Sequence, residues 1–261
     1  MEKKKTATNP QKTTKTAPAK KPNASFKSKS ERLKAKFFSS YYGHPIRDMK
    51  LICITGTTGK STVAHYVHEI LKSAGQHVAI LASETEIKTS VLHKFFSDAW
   101  KAGASYVVVT APAASLKSNV FYGLPITVAA LTDFIPASLD APKIADFLDS
   151  ESTLFKMSPK NIVLNHDDLY YSDFKNFSGT SETFTYGKDR ESTLHIDSFK
   201  LYKKGTEARL SLGSSFFTVA SFLTGEPAIS HMACATAIAT ALHISTDAII
   251  EGIANYDPEN L

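Results

Sequence analysis

The rhythm of apolar and polar positions changes twice along the chain. Before Phe26 there is almost no large apolar side chain, and no element is predicted there. From Lys50 onward, short apolar runs alternate with stretches of helical spacing. Lys50–Thr55, His77–Ala82, Ser105–Thr110, Thr127–Thr132 and Asn161–Asn165 read as buried strands. Lys60–Ser73, Thr89–Ala102 and Pro142–Lys156 read as helices; Val91, Phe95, Phe96 and Trp100 share a helical face, and Pro142 suits a first turn after Asp140. Strands apolar along their whole length and separated by helices predict a parallel sheet covered on both faces. After residue 180 the pattern becomes alternating. Glu182–Gly187, Thr193–Leu201, Glu207–Leu212 and Ser215–Ala220 predict a small antiparallel sheet, with turns at Lys203-Lys204-Gly205 and Gly213-Ser214. Helices follow at Ala228–Leu242 and Thr246–Ala254, the second capped by Ser245 or Thr246. No internal repeat is visible.

Charge sharpens the first boundary. Residues 1–36 hold twelve Lys/Arg against two Glu, a charge of +10, while the rest of the chain carries −5. The pI near 9.0 therefore belongs to a basic tail, expected to be disordered, with 37–49 as a linker and 50–257 as the folded domain. Nucleic acid, anionic lipid and an acidic protein would all suit the tail, as would a spacer role. Two cysteines, Cys53 and Cys234, cannot build a disulfide framework. No apolar stretch is long enough to span a membrane and no apolar signal core stands at the N-terminus, so a cytoplasmic location is expected.

Candidate chemistry concentrates in residues 51–62, Leu-Ile-Cys-Ile-Thr-Gly-Thr-Thr-Gly-Lys-Ser-Thr. A strand stops at Gly56, a tight loop follows, and a helix begins near Lys60. Gly56 and Gly59 let backbone N–H groups turn inward, and the helix start adds free donors and positive partial charge. The loop therefore suits phosphate, with Gly56, Thr57, Thr58, Gly59, Lys60, Ser61 and Thr62 as its binding residues. Lys60 would reach the β/γ-phosphates and is the candidate catalytic residue; Ser61 would ligate Mg2+. The pattern departs from the usual Walker motif, which places glycine where this chain has Ile54. The expected fold is thus a P-loop-containing α/β domain, a mainly parallel sheet flanked by helices with a small antiparallel extension.

Four segments in order resemble the central, ATP-binding domain of the Mur ligase family, and most closely the enzymes that add the third amino acid to UDP-N-acetylmuramoyl dipeptide. They are Gly56–Thr62, Tyr122-Gly-Leu-Pro-Ile-Thr-Val-Ala-Ala-Leu-Thr132, Asn161-Ile-Val-Leu-Asn-His-Asp-Asp168, and Gly225 with the alanine-rich helix around His231. The resemblance covers about Lys50 to Tyr256. It implies an ATP- and Mg2+-dependent acid–amino acid ligase of peptidoglycan precursor synthesis, working through an acyl phosphate that an amine attacks. It also implies Asn165 and Asp168 in the nucleotide pocket and His231 against adenine. The implied partners are ATP, a UDP-muramoyl peptide precursor and an amino acid.

Several family positions are altered. Thr110-Ala-Pro-Ala-Ala114 stands where the family has a Mg2+-binding Glu followed by Ser-Ser-His, so Thr110 replaces the Glu and Ala114 the His. Asp133 replaces an Asn, and Pro136, Ala137 and Ser138 replace Arg-Asp-His. Glu151 stands where the family has a carbamoylated lysine. Glutamate keeps the charge on a shorter arm, so Glu151 is a candidate metal ligand through water, the accidental match being the other reading. The family's flanking domains are not evident; the chain stops near the expected start of the third, which a separate chain would have to supply. A reduced or split ligase is the first expectation. A catalytically inactive nucleotide-binding partner is the second, and a P-loop NTPase or kinase of another family the third. His65 and His68 are either a metal pair or helix-surface histidines, and Asp167-Asp168 either a metal pair or loop-ending acids near the ribose.

Overall fold

The computed structural model describes residues 26–134, 141–177 and 179–258. Pro136, Ala137 and Ser138, and the basic stretch before Phe26, lie outside them.

Among the described residues nine strands form one sheet in the order β2-β3-β1-β4-β5-β6-β7-β8-β9. The parallel part comprises β1 (Lys50–Thr55), β2 (Val78–Leu81), β3 (Tyr106–Thr110), β4 (Ile126–Leu131), β5 (Asn161–Asn165) and β6 (Glu182–Gly187). The remaining strands are β7 (Leu194–Tyr202), β8 (Gly205–Leu212) and β9 (Ser215–Ser221). The expected antiparallel extension is present, but it begins later than the alternating pattern predicts. β6 runs parallel to β5, and β7 starts parallel to β6 through Tyr186↔Leu194 and Gly187↔His195. Only β7–β8 and β8–β9 are antiparallel, and they extend the main sheet by two tight hairpins. Alternating apolarity reports a strand with one exposed face, not the direction of its neighbour.

Successive residues of β1 point to opposite faces and build two cores. Ile52 and Ile54 meet α2 (Lys60–Ser73), α7 (Glu226–Ala241) and α8 (Thr246–Asn255). Leu51 and Cys53 meet α3 (Thr89–Lys101), α4 (Ala113–Lys117), α5 (Ala141–Phe155) and α6 (Tyr171–Phe177). Helix α7 is buried almost all round, and its alanines let it lie close to α2 and the sheet. Gly252 has the same role in α8: a Cβ there would stand 2.3 Å from the Ile70 Cα of α2.

Residues 26–41 form helix α1 (Phe26–Tyr41), where the sequence predicts tail and linker, and Pro45–Asp48 add a single 3-10 turn. Helix α1 is polar overall but is fixed at a few points. Ala35 is buried, Glu31 accepts from Thr89 at 2.8 Å, and Arg32 donates to Asn119 at 3.2 Å while lying over the Tyr122 ring. So few anchors leave no periodic signal. The short helices α4 and α6 were equally invisible to it.

Candidate phosphate-binding and metal-binding site

The carboxyl ends of β1, β3, β4 and β5 open on one edge of the sheet, where ligands of such sheets bind. Gly56 leaves β1 at φ 134° and Gly59 enters α2 at φ 74°. Neither position admits a side chain. A Cβ on Gly56 would lie 2.2 Å from Thr132 Oγ1, and one on Gly59 would lie 2.0 Å from His231 Nε2.

The loop between them is braced from β4. Thr132 donates its hydroxyl to the Thr58 carbonyl at 2.6 Å, and the Thr57 N–H donates to the Asp133 carbonyl at 3.1 Å. Both the N–H and the hydroxyl of Thr58 donate to the Asp133 carboxylate. Tyr186, fully buried on β6, donates to the Thr132 carbonyl at 2.6 Å and fixes the brace from behind. Asp133 therefore shapes the loop, a use that sequence reasoning did not give it.

Lys60 is buried, 6% exposed, and its ammonium donates to the Gly56 carbonyl at 3.1 Å and the Thr57 carbonyl at 3.4 Å. A buried ammonium folded over its own loop is positioned for the next anion to enter. Ser61 and Thr62 occupy the first turn of α2. The anion now on Lys60 is one the sequence did not single out. Glu84, three residues beyond β2, lies 3.1 Å from Lys60 Nζ and accepts from the Ser61 hydroxyl and the Ser61 N–H. Its only sequence signal is an acidic residue just past the carboxyl end of a strand.

Thr110 is fully buried and bonds both backbone groups of Ser83: it accepts from the N–H and donates to the carbonyl, each at 2.7 Å. Glu151 is also fully buried, reaching from α5 to Thr55 at the end of β1, beneath the loop. Burial pushes its pKa up to about 7. The Thr55 hydroxyl has one proton and two oxygen neighbours, Glu151 Oε2 and the Ala111 carbonyl at 2.7 Å. A protonated Glu151 resolves that competition by donating to Thr55 while Thr55 donates to Ala111. Glu151 Oε1 is buried without a hydrogen-bond partner, which also favours the neutral acid.

Beside the loop lies an open cleft of about 590 Å3, lined among others by Thr58, Asn165, Asp168, Leu169, Pro227 and His231. Asn165 ends β5 and accepts from the Asp167 N–H at 3.0 Å. Asp168 accepts from the N–H groups of Phe134 at 2.7 Å and Tyr170 at 2.8 Å; burial still holds its pKa above the usual carboxylate range. Asp167 accepts from Lys188 and Asp189. Both acids thus serve the backbone. The His231 ring rests against Gly59, and burial holds its pKa below the ordinary imidazole value. His65 stacks on Tyr256 and His68 pairs with Glu69. Among the described residues no group of three or more His, Cys, Asp or Glu side chains could hold a metal, and no helix is long and apolar enough to cross a membrane.

Residues that would hold a nucleotide and its Mg2+ pass the test of fit. The glycine cradle excludes any side chain, Lys60 supplies a buried cation, and Ser61 and Glu84 supply hard oxygen donors of the kind Mg2+ takes.

Comparison with known proteins identifies the family. The family model for the Mur ligase middle domain matches residues 54–239. The UDP-N-acetylmuramoyl-L-alanyl-D-glutamate–2,6-diaminopimelate ligase of Clostridium tetani is 29% identical over 207 residues, covering 74% of this chain and 42% of that protein. Its counterpart in Geobacillus thermodenitrificans is 24% identical over 251 residues, covering 88% and 51%. The chain thus spans about half the length of the curated relatives it matches. A solved diaminopimelate ligase superposes with a TM-score of 0.78 at 17% identity, covering 88% of this chain and 50% of the other. The folylpolyglutamate synthase of Mycobacterium tuberculosis, solved with ADP and AMPPCP, gives 0.73 at 14%, covering 87% and 63%. These likenesses extend the fold beyond one reaction, and the family-model match places the sequence: the chain belongs to the Mur ligase family and carries its middle domain.

Proposed function

We propose that this chain binds Mg2+–ATP on the Gly56–Thr62 loop and is the nucleotide-binding core of an ATP-dependent acid–amino acid ligase of peptidoglycan precursor synthesis. The observation that carries the reading is the braced loop over buried Lys60. On binding, Lys60 exchanges Glu84 for the β/γ-phosphates, and the first N–H groups of α2 face the same oxygens. The cleft lined by Asn165, Asp168 and His231 takes the nucleoside; His231 also closes over Gly59. In such a ligase the γ-phosphoryl group passes to a substrate carboxylate, and an amine displaces phosphate from the acyl phosphate to leave an amide. The loop's part is to neutralise charge on the transferring group. The matched relatives are about twice as long as the aligned part, so binding of the UDP-muramoyl precursor and the amino acid is assigned to portions of such a ligase beyond the aligned middle domain.

Calorimetric titration of Mg2+–ATP into the chain tests this. Saturable binding lost in Lys60→Ala is expected; absence of binding by the intact chain overturns the reading.

A second reading rests on a specific observation. Thr110 and Ala114 leave the end of β3 without the carboxylate and imidazole that the family resemblance implies there. On that reading the chain binds nucleotide without turning it over. Phosphate release on adding a C-terminal domain of a Mur ligase, substrate and amino acid favours the ligase, and tight binding without release favours the non-catalytic partner.

A further inference from the structure

The end of β3 carries a hydroxyl where a metal-binding carboxylate is expected, yet a carboxylate is present beside Ser61. It comes from the next strand outward. The sheet order places β3 between β2 and β1, so the segment after β2 must pass the end of β3 to reach the loop. Thr110 makes that passage fixed. Its hydroxyl bonds the N–H and the carbonyl of Ser83 at 2.7 Å each, and residue 84 follows directly. The Glu84 carboxylate then accepts from Ser61 Oγ and stands 3.1 Å from Lys60 Nζ. Its side chain is 60% exposed, so the outer side is open to water and phosphate.

The geometry points to Glu84 as the carboxylate that serves Mg2+ in this chain, with Ser61 beside it and Thr110 as its positioning residue. The inference rests on the loop binding Mg2+–ATP. Once Lys60 turns to the phosphates, Glu84 is left as a negative charge beside a more negative ligand. That arrangement holds only if a cation stands between them. Ser61 Oγ and a Glu84 oxygen already touch, and neighbouring ligands of octahedral Mg2+ lie about 2.9 Å apart for bonds of about 2.05 Å. A slight opening admits the ion, and water and phosphate oxygens complete its shell, as Mg2+ prefers. The lost and the gained residue are thus coupled: Thr110 gives up the charge and secures the turn that returns it.

The test is ATP affinity of the whole chain by calorimetry, with Mg2+ and with EDTA, for wild type, Glu84→Gln, Thr110→Val and Thr110→Ser. A second readout is the electron paramagnetic resonance signal of Mn2+ in the presence of ATP. Wild type is expected to gain about tenfold or more in affinity from Mg2+, on the scale usual for ligands and their supports. In Glu84→Gln that gain falls to about threefold or less while metal-free ATP binds more tightly, and the bound Mn2+ signal is lost. Thr110→Val shifts both readouts the same way, and Thr110→Ser restores them. If Glu84→Gln tightens ATP equally with and without Mg2+, Glu84 merely blocks the loop and the inference falls. It falls equally if the Mg2+ gain survives intact. In both cases the reading of the loop stands; no ATP binding by wild type under either condition removes both.

Discussion

The side of the site proposed for phosphate and the side proposed for the metal are built on different principles. The phosphate side is backbone: two glycines without room for a Cβ, the start of α2, and a brace from Thr132 and Asp133. The side proposed for the metal is made of side chains: Ser61 and Glu84, with Thr110 holding the turn before Glu84. Backbone recognition needs a particular loop shape, so its sequence is constrained and short. A carboxylate only needs to arrive, and neighbouring strands or helices offer several routes.

That contrast can be broken most severely at Gly59. Gly59→Ala combines a left-handed φ with crowding against the end of the His231 ring and is expected to destabilise the fold by about 1–3 kcal/mol. Urea unfolding of Gly59→Ala, His231→Ala and the double variant forms a cycle. Relief of most of the clash by the second change is expected, leaving only the backbone strain; strict additivity would show that the two sites do not touch.

Glu151 offers the next effect, and a sign. Its folded pKa of about 7 lies above the ordinary glutamate value of 4.5. The folded state therefore holds a proton that the unfolded chain releases, and stability falls as pH rises from about 4.5 to about 7, then levels off. The loss amounts to about 3 kcal/mol at most by linkage. Glu151→Gln is expected to remove this dependence, matching wild type at pH 4.5 and exceeding it at pH 8. Unfolding curves that differ equally at both pH values would mean that Glu151 is ionised in the fold.

The smallest effect is expected at Asp133. Asp133→Ala deprives the Thr58 N–H and hydroxyl of their acceptor at an exposed position, costing about 1 kcal/mol in stability. ATP affinity should weaken by roughly three- to tenfold as the loop loosens. A metal-ligand role for Asp133 would show instead as a loss confined to Mg2+-containing buffer.

Much of this was legible in the chain. Lys50–Thr55 and Lys60–Ser73 were bounded by the pattern as the structure bounds them, because a strand buried on both faces and an amphipathic helix leave periodic signals. The direction of β6 and the anchoring of α1 were not legible. The first depends on which strand lies alongside, and the second on a few contacts with α3 and Tyr122.

The same division holds at the site. The sequence alone determined the glycine loop, since local backbone geometry demands Gly56 and Gly59 there, and it set Lys60 and Ser61 at the start of α2. It also showed that Thr110 and Ala114 could not supply the charge expected of their positions. Only the tertiary structure decided which carboxyl groups reach the loop. Glu84 lies 24 residues from Lys60, and Glu151 lies 96 from Thr55. They meet the loop because β2 stands outside β3 and α5 covers the far face of the sheet. Strand order and helix placement follow from packing over the whole domain, and no local pattern encodes them.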